Sequence, residues 1–269
     1  EASYVDVATA YASLDCHRSN DLRPHVYVTR DFGASWTSIA SDLPPFGNVN
    51  VVKQDPRNPR LLYAGTEFGF FVSIDEGGSW TELMTDLPTV RVDDVVVHPR
   101  EGDLVLGTHG RGALILDDIT PLQQLDGEVL ASDVHLFEPR RAVRWRVDPR
   151  LAVGSTGVKK FYGRNADQGT AIYYYLEERA RGPVTLAVAD AVTGEVLRHL
   201  DGTGEAGMNR VQWDLRGDAP PAEGGGGRGG PPPPPLADAG TYRVTLSANG
   251  RQLSRLVIVE DDVWMHERE

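Results

Sequence analysis

The side chains of this chain with the means to act on a polar ligand are three carboxylates and a histidine–arginine pair. Glu67, Asp93 and Asp94 fall at strand ends or in loops. Glycoside hydrolysis needs two carboxyl groups held about 5–10 Å apart across the scissile bond, one giving a proton and the other attacking or activating water. Nothing in the spacing of these three fixes such a pair, and surface or turn carboxylates are the commoner meaning of such residues. The catalytic residues, if there are any, stay unknown at this level. His109 and Arg111 flank Gly110 just ahead of an apolar run, which presents an imidazole and a guanidinium on one loop. Two readings stand side by side for them: contact with an anionic or polar ligand, or hydrogen bonding between neighbouring repeats.

Other chemical sets are missing. The chain has no HExxH pair, no phosphate-cradling Gly-Lys-Ser/Thr loop and no Gly-x-Ser-x-Gly elbow. Its 7 histidines are dispersed, and His17 and His25, although they share one segment, lack a third ligand nearby. The single cysteine, Cys16, offers neither an internal disulfide nor a thiolate set for zinc. No metal and no cofactor are therefore expected. A net charge of -12 and a pI near 5.0 deny the chain the clustered Lys and Arg that displace counterions from a phosphate backbone, which argues against nucleic acid as a partner. No apolar run approaches the ~20 residues needed to span a bilayer, so no transmembrane segment is expected.

The elements that must position these residues announce themselves as a repeat. Val28-Thr29-Arg30-Asp31-Phe32-Gly33-Ala34-Ser35-Trp36 recurs as Val72-Ser73-Ile74-Asp75-Glu76-Gly77-Gly78-Ser79-Trp80, and both read Ser/Thr-x-Asp-x-Gly-x-Ser-Trp. Asp31 and Asp75 stand 44 residues apart, a period that fits a four-stranded β-propeller blade. The residue types have a hairpin logic. The aspartate accepts hydrogen bonds from the turn, the glycine two places on supplies a backbone conformation that other residues adopt at a cost, and the tryptophan packs into the blade. A gapless alignment of Gly65 to Asp75 on Gly107 to Asp117, a shift of 42, marks a third and degraded copy that keeps Asp117 and loses the glycine and tryptophan. Strand-like runs precede each hairpin, Val49 to Lys53, Leu61 to Ala64 and Phe70 to Val72 in one repeat, Val95 to Val97, Leu104 to Leu106 and Ala113 to Leu116 in the next. The first copy lacks nearly all of its inner strand and carries an insertion from Leu14 to Pro24. About three blades cannot close a ring that takes ~4–8, so further blades are expected upstream in a longer protein.

After Asp118 the period stops. Residues 123–168 read as an extended connector whose basic stretch, Arg140, Arg141, Arg144, Arg146 and Arg150, is expected against acidic blade surface or solvent. Beyond Gly169 come strand-like segments at sandwich spacing: Ala171 to Glu177, Val184 to Ala189, Glu195 to Leu200, Arg210 to Leu215, Thr241 to Ala248 and Leu253 to Val259. Alternation such as Val184, Leu186, Val188 suits a sheet with one buried face. A Gly-rich run and Pro231 to Pro235 form an exposed loop within 217–239. The expected class is all-β: propeller blades over 1–122, the connector over 123–168, a sandwich over 169–262 and a tail over 263–269.

The two Asp-centred motifs, with Asp55-Pro56-Arg57-Asn58-Pro59 and Leu62-Tyr63-Ala64-Gly65-Thr66, resemble the Asp-box (BNR) propellers of sialidases, xyloglucanases and sortilin. Ala8-Thr9-Ala10-Tyr11, Gly107-Thr108-His109-Gly110-Arg111 and Ile115-Leu116-Asp117-Asp118-Ile119 are similar to the last blades of large bacterial exported proteins of the sortilin-like type, often labelled glycosyl hydrolases. Gly207-Met208-Asn209, Trp213-Asp214 and Ala239-Gly240-Thr241-Tyr242 resemble the Ig-like domain of the flagellar hook-capping protein. The resemblance implies that Thr29, Asp31, Gly33 and Trp36, with Ser73, Asp75, Gly77, Trp80 and Asp117, are structural, because Asp boxes lie on the side of the ring away from the ligand. It implies a periplasmic or extracellular protein that recognises a glycan or a peptide or protein ligand. The alternative it leaves open is a sialidase- or xyloglucanase-like hydrolase with its catalytic residues mostly in upstream blades. Catalysts and pure binders share the fold.

Overall fold

The computed structural model describes residues 1–83, 87–145, 167–219 and 234–262. The chain is all-β and forms two compact units, Glu1–Asp126 and Gly127–Glu269. The first is a partial propeller of three sheets and the second a β-sandwich.

In the first unit β1 (Ala10–Ser13), β2 (Val26–Thr29) and β3 (Thr37–Ser38) make one antiparallel sheet. The next holds β4 (Val49–Gln54), β5 (Leu62–Thr66), β6 (Phe70–Ser73) and β7 (Thr81–Glu82), and the last β8 (Val92–Val97), β9 (Leu104–Thr108) and β10 (Gly112–Leu116). Among the described residues of this unit only the middle sheet has four strands; the first keeps an Ala2–Ala10 bridge where the inner strand would run, and the third shows no outer strand. The middle sheet is buried on both faces. Leu62, Ala64 and Phe71 join a core with Tyr11, Val28 and Ile39, while Leu61, Tyr63, Phe70 and Val72 join one with Val92, Val95 and Leu104. Two-sided burial explains why β5 and β6 read as continuous apolar runs rather than alternating ones.

Both inner strands begin with an irregularity. On β4 Val49 pairs Thr66 and Val51 pairs Gly65; on β8 Val92 pairs Thr108 and Asp94 pairs Gly107. Asn50 and Asp93 are thus extra residues, and each resets the two-residue alternation so that Val49 and Val52, or Val92 and Val95, can all be buried.

The two Asp-centred turns are copies in detail. Thr29 Oγ1 donates to Asp31 Oδ1 at 2.8 Å, Ser35 N donates to the same oxygen at 2.8 Å and Ser35 Oγ to Oδ2 at 2.6 Å. Ser73 Oγ, Ser79 N and Ser79 Oγ repeat this around Asp75 at 2.8, 2.8 and 2.7 Å. Gly33 and Gly77 both sit at φ 88°, in the left-handed region that glycine adopts freely. The tryptophans differ. Trp80 is buried and donates its indole N–H to Ile39 O at 2.6 Å across the sheet-to-sheet boundary. Trp36 is 46% exposed, because the surface that covers Trp80 belongs to the preceding blade and none precedes Trp36 in this chain.

The third copy corrects the gapless alignment. Gly65 pairs Phe70 on β5–β6, whereas Gly107 pairs Ala113 on β9–β10, so the third turn holds one residue more. Leu116 then occupies the place of Ser73, and the counterpart of Asp75 is Asp118 rather than Asp117. Asp118 forms no hairpin; its N–H donates to Asp103 Oδ1 at 2.9 Å and the chain leaves through α1 (Thr120–Gln124). That exit is pinned by Asp55, which accepts from Tyr63 Oη at 2.8 Å, from Gln123 Nε2 at 2.9 Å, and from the N–H groups of Arg57 and Asn58.

In the second unit a short helix α2 (Gly127–Leu130) precedes two sheets. One has the order β11 (Val134–Leu136), β13 (Thr170–Leu176), β16 (Gly207–Trp213). The other runs β12 (Ala142–Arg144), β18 (Arg251–Asp261), β17 (Gly240–Ala248), β14 (Val184–Asp190), β15 (Val196–Gly202). Residues 134–136 and 142–144, expected in a connector, are therefore edge strands of the sandwich, too short to show alternation. Within the sandwich, Arg141 of the basic stretch pairs with Glu260, and Arg144 with Asp261 at 3.3 Å and Asp238 at 3.7 Å. Arg146 and Arg150, most of the Gly/Pro-rich loop and the tail 263–269 lie outside the described residues. Trp213 and Tyr242 meet edge to face in the core, 5.4 Å apart, with Trp213 Nε1 donating to Arg216 O and Tyr242 Oη to Asp238 O.

Candidate functional site

The turns between the second and third strands of each blade, and the segments entering the inner strands, lie at the end of the sheets opposite the Asp-centred turns. This follows from the antiparallel order: the start of β4 adjoins the end of β5, and the β6–β7 turn lies at the far end of β6. Two equivalent main-chain bonds tie the turns to the inner strands. Glu67 N donates to Asn48 O at 3.0 Å, and His109 N donates to Arg91 O at 2.9 Å.

Arg91 is the hub of this end. Its Nη1 donates to Glu67 Oε2 at 3.0 Å, reaching back to the preceding blade, and its Nε donates to Asp93 Oδ1 at 2.6 Å. All three side chains are partly exposed. The bulge on β8 turns the Asp93 carboxylate out of the core and toward the guanidinium, a common use of an extra strand residue beside a site. Hydrogen bonding to Asp93 raises the pKa of Arg91 above its ordinary value against the cost of burial, with Glu67 adding to the effect and Asp15 contributing from the first blade. Asp15 accepts from His17, through its main-chain N–H at 3.1 Å and from Nδ1 at 2.6 Å, and these bonds hold its carboxyl below the usual range. Residues from two blades thus bind one guanidinium, and the charge of Asp15 in the first blade acts on it from further off.

Beside this polar cluster stand two exposed aromatics. Phe46, 69% exposed, precedes β4, and Phe68, 55% exposed, occupies the β5–β6 turn next to Glu67. They line a small recess of about 90 Å³ with Pro24, Pro44 and Gly47. Gly47 sits at φ 114°, and a Cβ there would come within 3.1 Å of the Phe68 ring. Deeper in, Asn48 Oδ1 and Asn50 Oδ1 are buried and accept no hydrogen bond among the described residues.

Of the candidate residues read from sequence, Glu67 and Asp93 are brought together, and His109 joins them through its main chain while its imidazole stays exposed. The His109 main-chain bond is to Arg91 of the same blade. Arg111 is exposed and takes no part in these bonds. Asp94 is separate: its Oδ1 accepts from Val95 N at 2.9 Å and its charge acts on Lys53, which pairs with Glu1 at 2.9 Å. Arg91, Asp15, Phe46 and Phe68 are additions that sequence reasoning missed. The available signal was positional, since Arg91 stands immediately before β8 as Asn48 stands before β4. No group of three or more His, Cys, Asp or Glu among the described residues is arranged to hold a metal ion, and no helix there is long and apolar enough to cross a membrane.

No family model and no curated protein matches the chain. Among solved structures it is similar to the GH74 xyloglucanase from Xanthomonas campestris, at 13% identity and a TM-score of 0.34, over 93% of this chain and 28% of that one. The chain thus spans 28% of the length of that enzyme. A likeness of that degree carries no argument about the site.

Proposed function

We propose that this chain is the ligand-recognising part of an exported β-propeller protein that binds a glycan or peptide, and that the ligand meets the Arg91 cluster. The observation behind this reading is the charged set Glu67–Arg91–Asp93, drawn from two blades and bordered by Phe46 and Phe68. Such a set offers donors and acceptors to hydroxyl or amide groups, and flat apolar rings beside them suit the C–H face of a sugar or an apolar side chain. Export, to the periplasm or outside the cell, rests on the sequence resemblance alone.

Hydrolysis of a glycoside is the second reading, favoured by Glu67 and Asp93 lying at one end of the blades. A hydrolase needs one of its carboxyl groups protonated as the acid. Here both carboxylates bind one guanidinium, an arrangement that presents a donor and acceptors together to a polar ligand. The test is a glycan array and a peptide pull-down with the chain, alongside an assay for released sugar on a polysaccharide panel. The binding reading expects retention without turnover. Two blank binding screens would overturn it, and released sugar would replace it with the hydrolase.

A further inference from the structure

Between the first and second blades lies a recess that sets aromatic rings beside an unmatched carboxylate. Pro24 and Pro44 flank it, Phe46 and Phe68 are its exposed walls, and Phe71, only 6% exposed, is its inner one. The two blades pack on each other through Tyr11, Val28, Leu62 and Phe71, so the recess is enclosed by neighbours rather than set at an open edge. Glu82 lines it as well. This residue stands opposite Phe71 on β7, and a Cβ added to Gly69 would come within 3.0 Å of its Oε1. The bare backbone at Gly69 is what gives the carboxylate its place. Among the described residues that carboxylate has no hydrogen-bond donor and no cation. The cations of the flanking segments are already engaged, Arg23 with Asp21 at 2.7 Å and Arg91 with Glu67 and Asp93. A free anion next to exposed ring faces attracts a cation through both. At about 90 Å³ the recess is smaller than the ~150 Å³ void that holds benzene. A sugar ring does not fit inside it, whereas an unbranched side chain does.

We propose that this recess takes the side chain of a lysine in a bound peptide. The methylene stem lies against Phe46, Phe68 and Phe71, and the ammonium meets Glu82. A methionine or leucine would satisfy the rings and leave Glu82 unpaired, and an acidic residue would be repelled by it. A planar guanidinium is broader than an ammonium, which favours lysine over arginine in so small a volume. From the recess the peptide main chain crosses the turn at Glu67 and Phe68 to Arg91, whose cluster carries donors and acceptors for its amide groups. The inference rests on the recognition reading above and narrows its ligand from a glycan or peptide to a peptide that presents lysine.

The test places the labelled chain on arrays of degenerate heptapeptides whose central residue is fixed as lysine, Nε-acetyl-lysine, arginine or methionine. Acetylation keeps the stem and removes the charge. The lysine pool is expected to be retained at least about tenfold better than the acetyl-lysine pool. Glu82→Gln is expected to bring that ratio close to one, and Phe68→Ala to lower retention of the lysine pool. Glu76→Gln removes the same charge at the opposite end of the blades and is expected to leave the ratio unchanged, with circular dichroism confirming the fold of each variant. Equal retention of the lysine and acetyl-lysine pools, or of the lysine and arginine pools, would overturn the proposal. So would a ratio that survives Glu82→Gln, or one that falls equally in Glu76→Gln, which would assign it to the general attraction of an acidic chain. Peptide binding without a lysine preference, or glycan binding with every peptide pool blank, would end this proposal and leave the recognition reading standing; blank arrays of both kinds would end both.

Discussion

Arg91 binds Glu67 at 3.0 Å and Asp93 at 2.6 Å, while Asp31 and Asp75 spend their oxygens entirely on their own turns. That difference separates a residue available to a ligand from one committed to the fold. The turn aspartates carry a pH signature. Hydrogen bonds from Ser35 pull the Asp31 carboxyl down to about 2. For Asp75 burial acts to raise the pKa, but bonds from Ser79 and Ser73 outweigh it and leave it lowered. A depressed carboxylate contributes stability above its unfolded value of about 4 and loses that contribution as pH falls through the folded value. The chain is therefore expected to lose stability between about pH 4 and pH 2. Asp31→Asn with Asp75→Asn is expected to be less stable at neutral pH and to lose less across that window, as read by urea unfolding at each pH. Gly65 makes a different case, where space decides. A Cβ there would lie 2.7 Å from Val51, 2.8 Å from the Val92 side chain and 2.9 Å from Val92 O. Gly65→Ala is expected to cost about 1–3 kcal/mol by forcing the inner strands apart, and an unchanged urea midpoint would refute that account.

The Asp-centred hairpins were legible because type and spacing carry them together, a carboxylate, a glycine and a tryptophan at fixed offsets. The slip in the third copy was not legible. One added residue in the His109–Arg111 turn leaves the preceding strand in phase and shifts the whole of β10, and a gapless alignment absorbs the shift by matching Asp117 where pairing places Asp118. The strands β11 and β12 escaped for another reason: three residues each cannot display a period of two. Equal motifs also differ in what their tryptophans contribute. Trp80→Ala empties a packed boundary and is expected to cost about 3–5 kcal/mol. Trp36→Ala, at a half-exposed position, is expected to cost about 1 kcal/mol or less. Equal losses for the two in urea unfolding would show that the neighbouring blade is not what gives the tryptophan its value.

At the scale of the whole chain, the class of fold followed from repeat and alternation, whereas the site did not. Arg91 and Glu67 are 24 residues apart and belong to different blades, and Asp15 enters from an insertion in a third. Only the stacking of blades brings them to one end, so no local motif marks them. The same stacking sends the two Asp-centred turns to the opposite end, and with them Arg30, which pairs with Glu76 at 3.2 Å. This polarity is the core of the account, and one comparison tests it: glycan-array and peptide-array binding of the labelled chain, of Arg91→Ala and of Arg30→Ala, with folding checked by circular dichroism. Loss of the array signal in Arg91→Ala and its retention in Arg30→Ala is the predicted result. A signal that survives Arg91→Ala, or that falls equally in both variants, would contradict it.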